Sequence, residues 1–320
     1  MGRGTSGIKL KVIQRKTSPF KPPDFRCLRG TPSINVTRGC AHRCVYCYAR
    51  GFPEAPPDGE VHLMGNLPEM MERALAKMKR IPRWVSFSTA SDPFQPFEEV
   101  LEVTYRCMKL LLNSGIGVSF LTKGVVPDDF LELFKRHQGL VRARVGVVSV
   151  KDDYWSVFEP GSAHPEQRLN SAKKLKEAGI DTSVRVDPVV PVVSDKSEDI
   201  WKLLSSIKDA GLKELTISCL VMRPSIEEFF RERLSDKLRS GILGYYRRQV
   251  YQRVITSART KLLPLSYRRV LYKRVLSMAK ELGLKVRICG CKNPDLPWQD
   301  CNPWVDTGES AYLSRQPALW

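Results

Sequence analysis

Three cysteines, Cys40, Cys44 and Cys47, stand in a Cys-x3-Cys-x2-Cys run inside Arg38-Gly39-Cys40-Ala41-His42-Arg43-Cys44-Val45-Tyr46-Cys47-Tyr48-Ala49-Arg50. A short loop with that spacing can place one thiolate on each of three irons of a cuboidal iron–sulfur cluster. A [4Fe-4S] cluster used for electron transfer normally takes four cysteines, so a set of three leaves one iron open to chelation by a small molecule. Zinc fits less well, because structural zinc usually takes four ligands as two close pairs and the other nearby donors are His42 and Cys27. A disulfide framework fits less still: nine cysteines is an odd number in a chain of this length.

A second set follows near the C-terminus, Cys289-Gly290-Cys291 with Cys301, among Pro294, Pro297, Trp298, Pro303 and Trp304. These three could bind a second iron–sulfur cluster, with Cys27, Cys219 or substrate as a fourth ligand. Zinc, and structural thiols that hold no metal, stay open as alternatives. Cys107 lies in an apolar helical pattern and reads as core.

The elements that must position these groups form a repeating series. Ser33–Thr37 reads as a strand that delivers the first cysteine loop from its C-terminal end. Further strands are expected at Trp84–Ser88, Gly117–Thr122, Arg142–Ser149, Thr182–Asp187 and Glu214–Cys219. Helical periodicity fills Leu67–Arg80, Phe97–Asn113, Asp128–His137, Pro165–Ala178 and Ser197–Ala210, with Gly115, Gly179 and Gly211 as stops. Such βα units imply a parallel sheet with right-handed crossovers, whose active-site loops leave the C-terminal ends of the strands. Lys285–Cys289 reads as one more short strand, and Ile8–Ile13 as an edge strand.

The net charge is +18 over 320 residues, which favours a polyanionic partner. Between Asp236 and Glu281 no acidic residue occurs, while Arg239, Arg247, Arg248, Arg253, Arg259, Lys261, Arg268, Arg269 and Arg274 are interleaved with Tyr245, Tyr246, Tyr251, Tyr267 and Tyr272. Such a stretch can bind a nucleic acid, arginines on phosphates and tyrosines on bases. The alternative is an amphipathic helix pair with its tyrosines packed inward. The chain divides into a basic extension (1–30), a barrel (31–223), a basic helical segment (224–283) and a tail rich in Cys, Pro and Trp (284–320). No charge-free apolar run approaches membrane-spanning length and no signal peptide opens the chain, so a cytoplasmic protein without a membrane partner is expected.

The Arg38–Arg50 run resembles the cluster loop of the radical S-adenosylmethionine (radical SAM) superfamily, with Tyr46 matching the aromatic before the last cysteine. The resemblance implies an α/β fold with an open, partial (β/α)6 TIM-type barrel. It also implies a [4Fe-4S] cluster on Cys40, Cys44 and Cys47, with S-adenosylmethionine on the open iron and Tyr46 beside the adenine. Over about residues 32–191 the segments Ser88–Pro96, Leu121–Lys123, Ser149, Phe158–Gly161, Pro165–Leu169 and Val184–Pro188 are together similar to the branch that includes spore photoproduct lyase and DNA repair photolyase-like proteins. By position, the resemblance makes Lys123 and Ser149 contacts of S-adenosylmethionine; a lysine ammonium suits its carboxylate, and the Ser88 and Ser91 hydroxyls suit its amino group. Arg185 would meet a carboxylate and Glu159 the ribose hydroxyls, with an ordinary salt bridge as the alternative for each.

Two departures from that branch matter. Thr89 stands where the lyases carry a hydrogen-donor cysteine, and a hydroxyl holds its hydrogen too tightly to serve a carbon radical. Arg43 replaces a smaller residue in the cluster loop. The family's chemistry is one-electron cleavage of S-adenosylmethionine, with an electron from a donor such as flavodoxin or ferredoxin, to a 5′-deoxyadenosyl radical that takes a hydrogen atom from substrate. The substrate is expected to be DNA or RNA. The rivals are a radical SAM enzyme for a protein or small molecule, and a non-enzymatic iron–sulfur protein that binds nucleic acid.

Overall fold

The computed structural model describes residues 7–21, 26–28, 30–254 and 258–296, and the backbone of Tyr312–Ser314. Seven parallel strands lie side by side in chain order: β1 (Ser33–Ile34), β2 (Trp84–Phe87), β3 (Gly117–Thr122), β4 (Val141–Gly146), β5 (Asp181–Val189), β6 (Glu214–Cys219) and β7 (Lys285–Ile288). Every neighbouring pair is in parallel register. Among the described residues β1 and β7 do not pair, so the sheet is an open barrel. β2 through β6 bury most of their residues, and β4 (Val-Arg-Ala-Arg-Val-Gly) alternates buried apolar with half-buried arginine side chains.

Helices α1 (Leu67–Lys77), α2 (Glu98–Asn113), α3 (Asp128–Lys135), α5 (Pro165–Glu177) and α6 (Ser197–Asp209) are the expected crossovers. α2 shows why they pack: Val100, Val103, Cys107, Met108, Leu111 and Leu112 fall on one stripe, and all are buried. Gly115, Gly179 and Gly211 follow α2, α5 and α6 with positive φ, as helix stops do.

Two elements differ from the sequence-based reading. The strand expected at Ser33–Thr37 splits, because Thr37–Arg38 pairs antiparallel with Glu60–Met64, which in turn pairs in parallel with Lys9–Ile13. This small sheet flanks the barrel. α4 (Asp152–Phe158) has seven residues, too few to show a helical period. α7 (Pro224–Arg233) opens the segment expected to be basic and helical, and its first turn carries Glu227.

The acid-free stretch folds into α8 (Asp236–Gly244), a short hairpin (Gln252–Arg253 with Arg259–Thr260) and α9 (Leu265–Glu281). Stacking on bases is ruled out for Tyr246 and Tyr272, which are buried and donate to the Leu220 carbonyl at 2.7 Å and the Asn293 side chain at 3.2 Å. Tyr267 donates to Asp195 at 2.6 Å and meets Tyr245 edge-on. Arg268 is also inside, its guanidinium on Asp295 at 2.5 and 2.7 Å. Burial of one face thus outweighs solvation of these groups. No helix of the described residues is long and apolar enough to cross a membrane.

Candidate metal and cofactor site

The first cysteine loop leaves β1 and lies over the C-terminal mouth of the barrel. Four contacts hold it there. Gly39 takes φ +76, and a Cβ would stand 2.7 Å from the Glu60 carbonyl oxygen, so no side chain is accommodated. Gln95 accepts from the Ala41 amide at 2.7 Å and donates to Thr37 at 2.8 Å. The segment after α4 lies against the loop, the Val45 amide donating to the Phe158 carbonyl at 3.0 Å and the Gly161 amide to that of His42 at 3.1 Å.

Asp92 ties the loop to the next two strand exits. Its carboxylate lies 3.3 Å from His42 Nδ1 and accepts from Thr122 Oγ1 and the Lys123 amide, each at 2.7 Å. Burial opposes ionisation of Asp92, but His42 and the amides of Lys123 and Phe94 outweigh it and hold the pKa below the usual range. In the sequence Asp92 stands in a strand exit with nothing to mark its role; its partners are distant along the chain, and only the fold joins them.

A cavity of about 180 Å³ opens beneath the loop, lined among others by Cys40, Cys44, Cys47, Tyr46, Ser88, Ser91 and Lys123. These expected residues therefore meet in one place. Burial pushes the Cys44 thiol up to about 12 and Cys40 well above its ordinary value. Such thiols become thiolates only beside added positive charge, which bound metal supplies. Ser88 Oγ and Ser91 Oγ are buried without a protein hydrogen-bond partner. An unsatisfied buried hydroxyl costs about 1–3 kcal/mol, so the pair marks where a polar ligand belongs. Ser88 also holds φ +69, a strained conformation for a residue with a side chain. These observations fit an iron–sulfur cluster with a polar chelating ligand.

Three expected residues are not brought to this cavity. Glu159 is wholly buried behind it, 2.7 Å from Arg168 and 4.0 Å from Lys123, and accepts a hydrogen bond from the Tyr46 hydroxyl. Burial opposes its charge, yet Arg168 and Lys123 keep its pKa low. Ser149 is also buried and accepts from the Lys151 amide at 3.2 Å. Arg185 binds Asp187 at 2.8 Å and donates to Cys289 Sγ at 3.2 Å, facing a neighbouring cavity. Lys292, unassigned from the sequence, completes that group at 2.6 Å from Asp187. Cys289 and Cys291 are buried with Cys27 packed against them, whereas Cys301 lies outside the described residues.

A third and larger cavity, about 790 Å³, runs between the N-terminal extension, the cysteine loop and α7. Arg15, Lys21, Arg38, Arg223 and Arg259 line it, and Glu54 is its one acidic lining residue among the described residues. It reaches Thr89 and Ala90, which also line the cofactor cavity.

Comparison with known proteins agrees with this geometry. The family model of the radical SAM superfamily matches residues 34–207, a little over half of the chain. An uncharacterised protein of Mycobacterium tuberculosis is 29% identical over 307 residues, spanning 91% of this chain and 85% of that protein. Spore photoproduct lyase of Bacillus subtilis is 25% identical over 186 residues, 57% of this chain and 52% of the lyase. A solved structure of spore photoproduct lyase complexed with dinucleoside spore photoproduct superposes with a TM-score of 0.66 at 17% identity, covering 87% of this chain and 82% of that one, and shares the fold.

Proposed function

Because this chain belongs to the radical SAM superfamily, we propose that it is a radical enzyme acting on a nucleic acid, in DNA repair or RNA modification. Membership implies a [4Fe-4S] cluster and S-adenosylmethionine, which together supply, when bound and reduced, a 5′-deoxyadenosyl radical able to take a hydrogen atom from substrate. Cys40, Cys44 and Cys47 hold the cluster. The Lys123 ammonium pairs with the methionine carboxylate, and the Ser88 and Ser91 hydroxyls, orphaned in the protein alone, take its amino group. Tyr46 lies beside the adenine with its ring fixed by Glu159 and Arg168. Glu159 thus acts through Tyr46 as a positioning residue. A flavodoxin or ferredoxin type of donor would supply the electron.

The observation that carries the nucleic-acid target is the basic groove of about 790 Å³ that meets the cofactor cavity at Thr89 and Ala90. Its cations suit phosphates, and its volume lies within the range of about 300–1,000 Å³ usual for ligand sites. A relative named spore photoproduct lyase, and a solved spore photoproduct lyase complexed with dinucleoside spore photoproduct, support the same class. Thr89 cannot return a hydrogen atom as a thiol would, so a reaction that needs no thiol at that position is favoured.

An anaerobic assay for 5′-deoxyadenosine, with and without DNA and RNA oligonucleotides, tests the proposal. Product formation stimulated by one polymer is expected, together with oligonucleotide affinity that weakens as salt rises. Substituting Arg15, Lys21 and Arg259 by alanine should weaken binding at least tenfold, about 1.4 kcal/mol. Affinity indifferent to salt and to these substitutions would point to a protein or small-molecule substrate.

A further inference from the structure

Cys27, Cys289 and Cys291 form a buried group of their own, apart from the main core. They come from the segments that flank the two unpaired edges of the barrel. Cys27 precedes β1, and Cys289 and Cys291 directly follow β7. Two chain ends that share no strand pairing are thus joined at three sulfurs.

Charge surrounds these sulfurs in a way that apolar packing does not require. Arg185 Nη2 donates to Cys289 Sγ at 3.2 Å. The adjoining cavity, about 150 Å³, is lined by Arg144, by Arg185 and Lys292 with Asp187 paired to both, and by the three cysteines. A guanidinium N–H directed at sulfur is a charge-assisted hydrogen-bond donor. Cations and N–H donors beside sulfur likewise offset the negative charge of a thiolate-bound cluster and tune its potential.

Among the described residues no three Cys, His, Asp or Glu side chains converge on a point suited to a single metal ion, and this holds for Cys40, Cys44 and Cys47 too. A cluster that offers a separate iron to each thiolate does not need such convergence. The geometry therefore points to a second iron–sulfur cluster, and we propose that Cys27, Cys289 and Cys291 ligate it. It would clasp the open barrel across its unpaired edges. It would also stand beside the cofactor cavity, with which its own cavity shares Tyr48, Ser88 and Thr89. This site is independent of the substrate proposed above.

Iron and sulfide content of the full chain, purified and reconstituted without oxygen, tests the inference. Wild type should hold about two to four irons beyond the ~4 of the first cluster, and the Cys27→Ser/Cys289→Ser/Cys291→Ser variant should lose that excess. The Cys40→Ser/Cys44→Ser/Cys47→Ser variant leaves the second group intact and should keep about two to four irons, with an electron paramagnetic resonance signal of its own after reduction. Loss of all iron from that variant, equal iron in wild type and the Cys27/Cys289/Cys291 variant, or stoichiometric zinc in place of the excess iron would each overturn the inference. Failure of the first site reads differently: S-adenosylmethionine would leave the wild-type spectrum unperturbed while the Cys40/Cys44/Cys47 variant still held iron.

Discussion

Glu159 and Arg168 are both completely shielded from solvent, and the pair stands between the Tyr46 hydroxyl and the Gly146 carbonyl, to which Arg168 donates at 2.7 Å. A buried charge stripped of its partner is among the costlier defects a protein can carry. Glu159→Gln should therefore lower unfolding free energy by about 3–5 kcal/mol, read from urea denaturation. Tyr46→Phe leaves the ion pair in place and should cost less, about 1.5–3 kcal/mol. Lys123, whose ammonium lies 5.5 Å from the Tyr46 ring centre and 4.0 Å from Glu159, is the residue proposed above to meet the ligand's carboxylate. Lys123→Met should weaken S-adenosylmethionine binding about tenfold by equilibrium dialysis while iron content stays unchanged.

The cysteine loop is held by elements that share no sequence neighbourhood with it. Gly161, beyond α4, packs so closely that a Cβ there would fall 2.1 Å from the Ala41 carbonyl oxygen. The clash is with backbone, which cannot rotate away. Gly161→Ala should accordingly displace the loop and cut first-cluster iron by at least half, with the helical signal in circular dichroism retained. A loop held only by its own residues would show no such loss. α9 has a comparable role at the far edge, where Arg268 reaches Asn293 and Asp295 beyond β7 and ties the segment carrying Cys289 and Cys291 to the barrel.

Across the molecule, three buried carboxylates, Asp92, Glu159 and Asp187, titrate below their ordinary range. Burial alone would raise each pKa; the partners win in every case, His42 and the Lys123 and Phe94 amides for Asp92, Arg168 and Lys123 for Glu159, Lys292 and Arg185 for Asp187. A carboxylate with a depressed folded pKa binds its proton first in the unfolded state, so acid favours unfolding. Stability should be level from neutral pH down to about 4 and then fall steeply, as urea midpoints across that range would show. Unfolding that began near pH 6 would instead implicate histidines. The net charge of +18 acts at longer range, and steers polyanions toward a basic groove at low salt.

Local chemistry and periodicity were enough to identify the cluster loop, the parallel strands and most crossovers. Cysteine spacing and strand hydrophobicity are properties of neighbouring residues, and Cys40–Cys47, Gly117–Thr122 and Glu214–Cys219 carry them openly. Lys123 and Ser149 matched the family by position, whereas Glu159 and Arg185 also admitted an ordinary salt bridge, because a strand exit does not specify which side chains face the mouth. Tertiary packing sent Glu159 inward to Arg168 and Arg185 across to Cys289. It also turned Tyr246, just beyond α8, and Tyr272, within α9, toward the core, since a helix face buried against a barrel gains more from packing than from solvated rings. Pairings such as Asp92 with His42, or Cys27 with Cys289, join residues far apart in the chain, and only the folded path of the backbone brings them together.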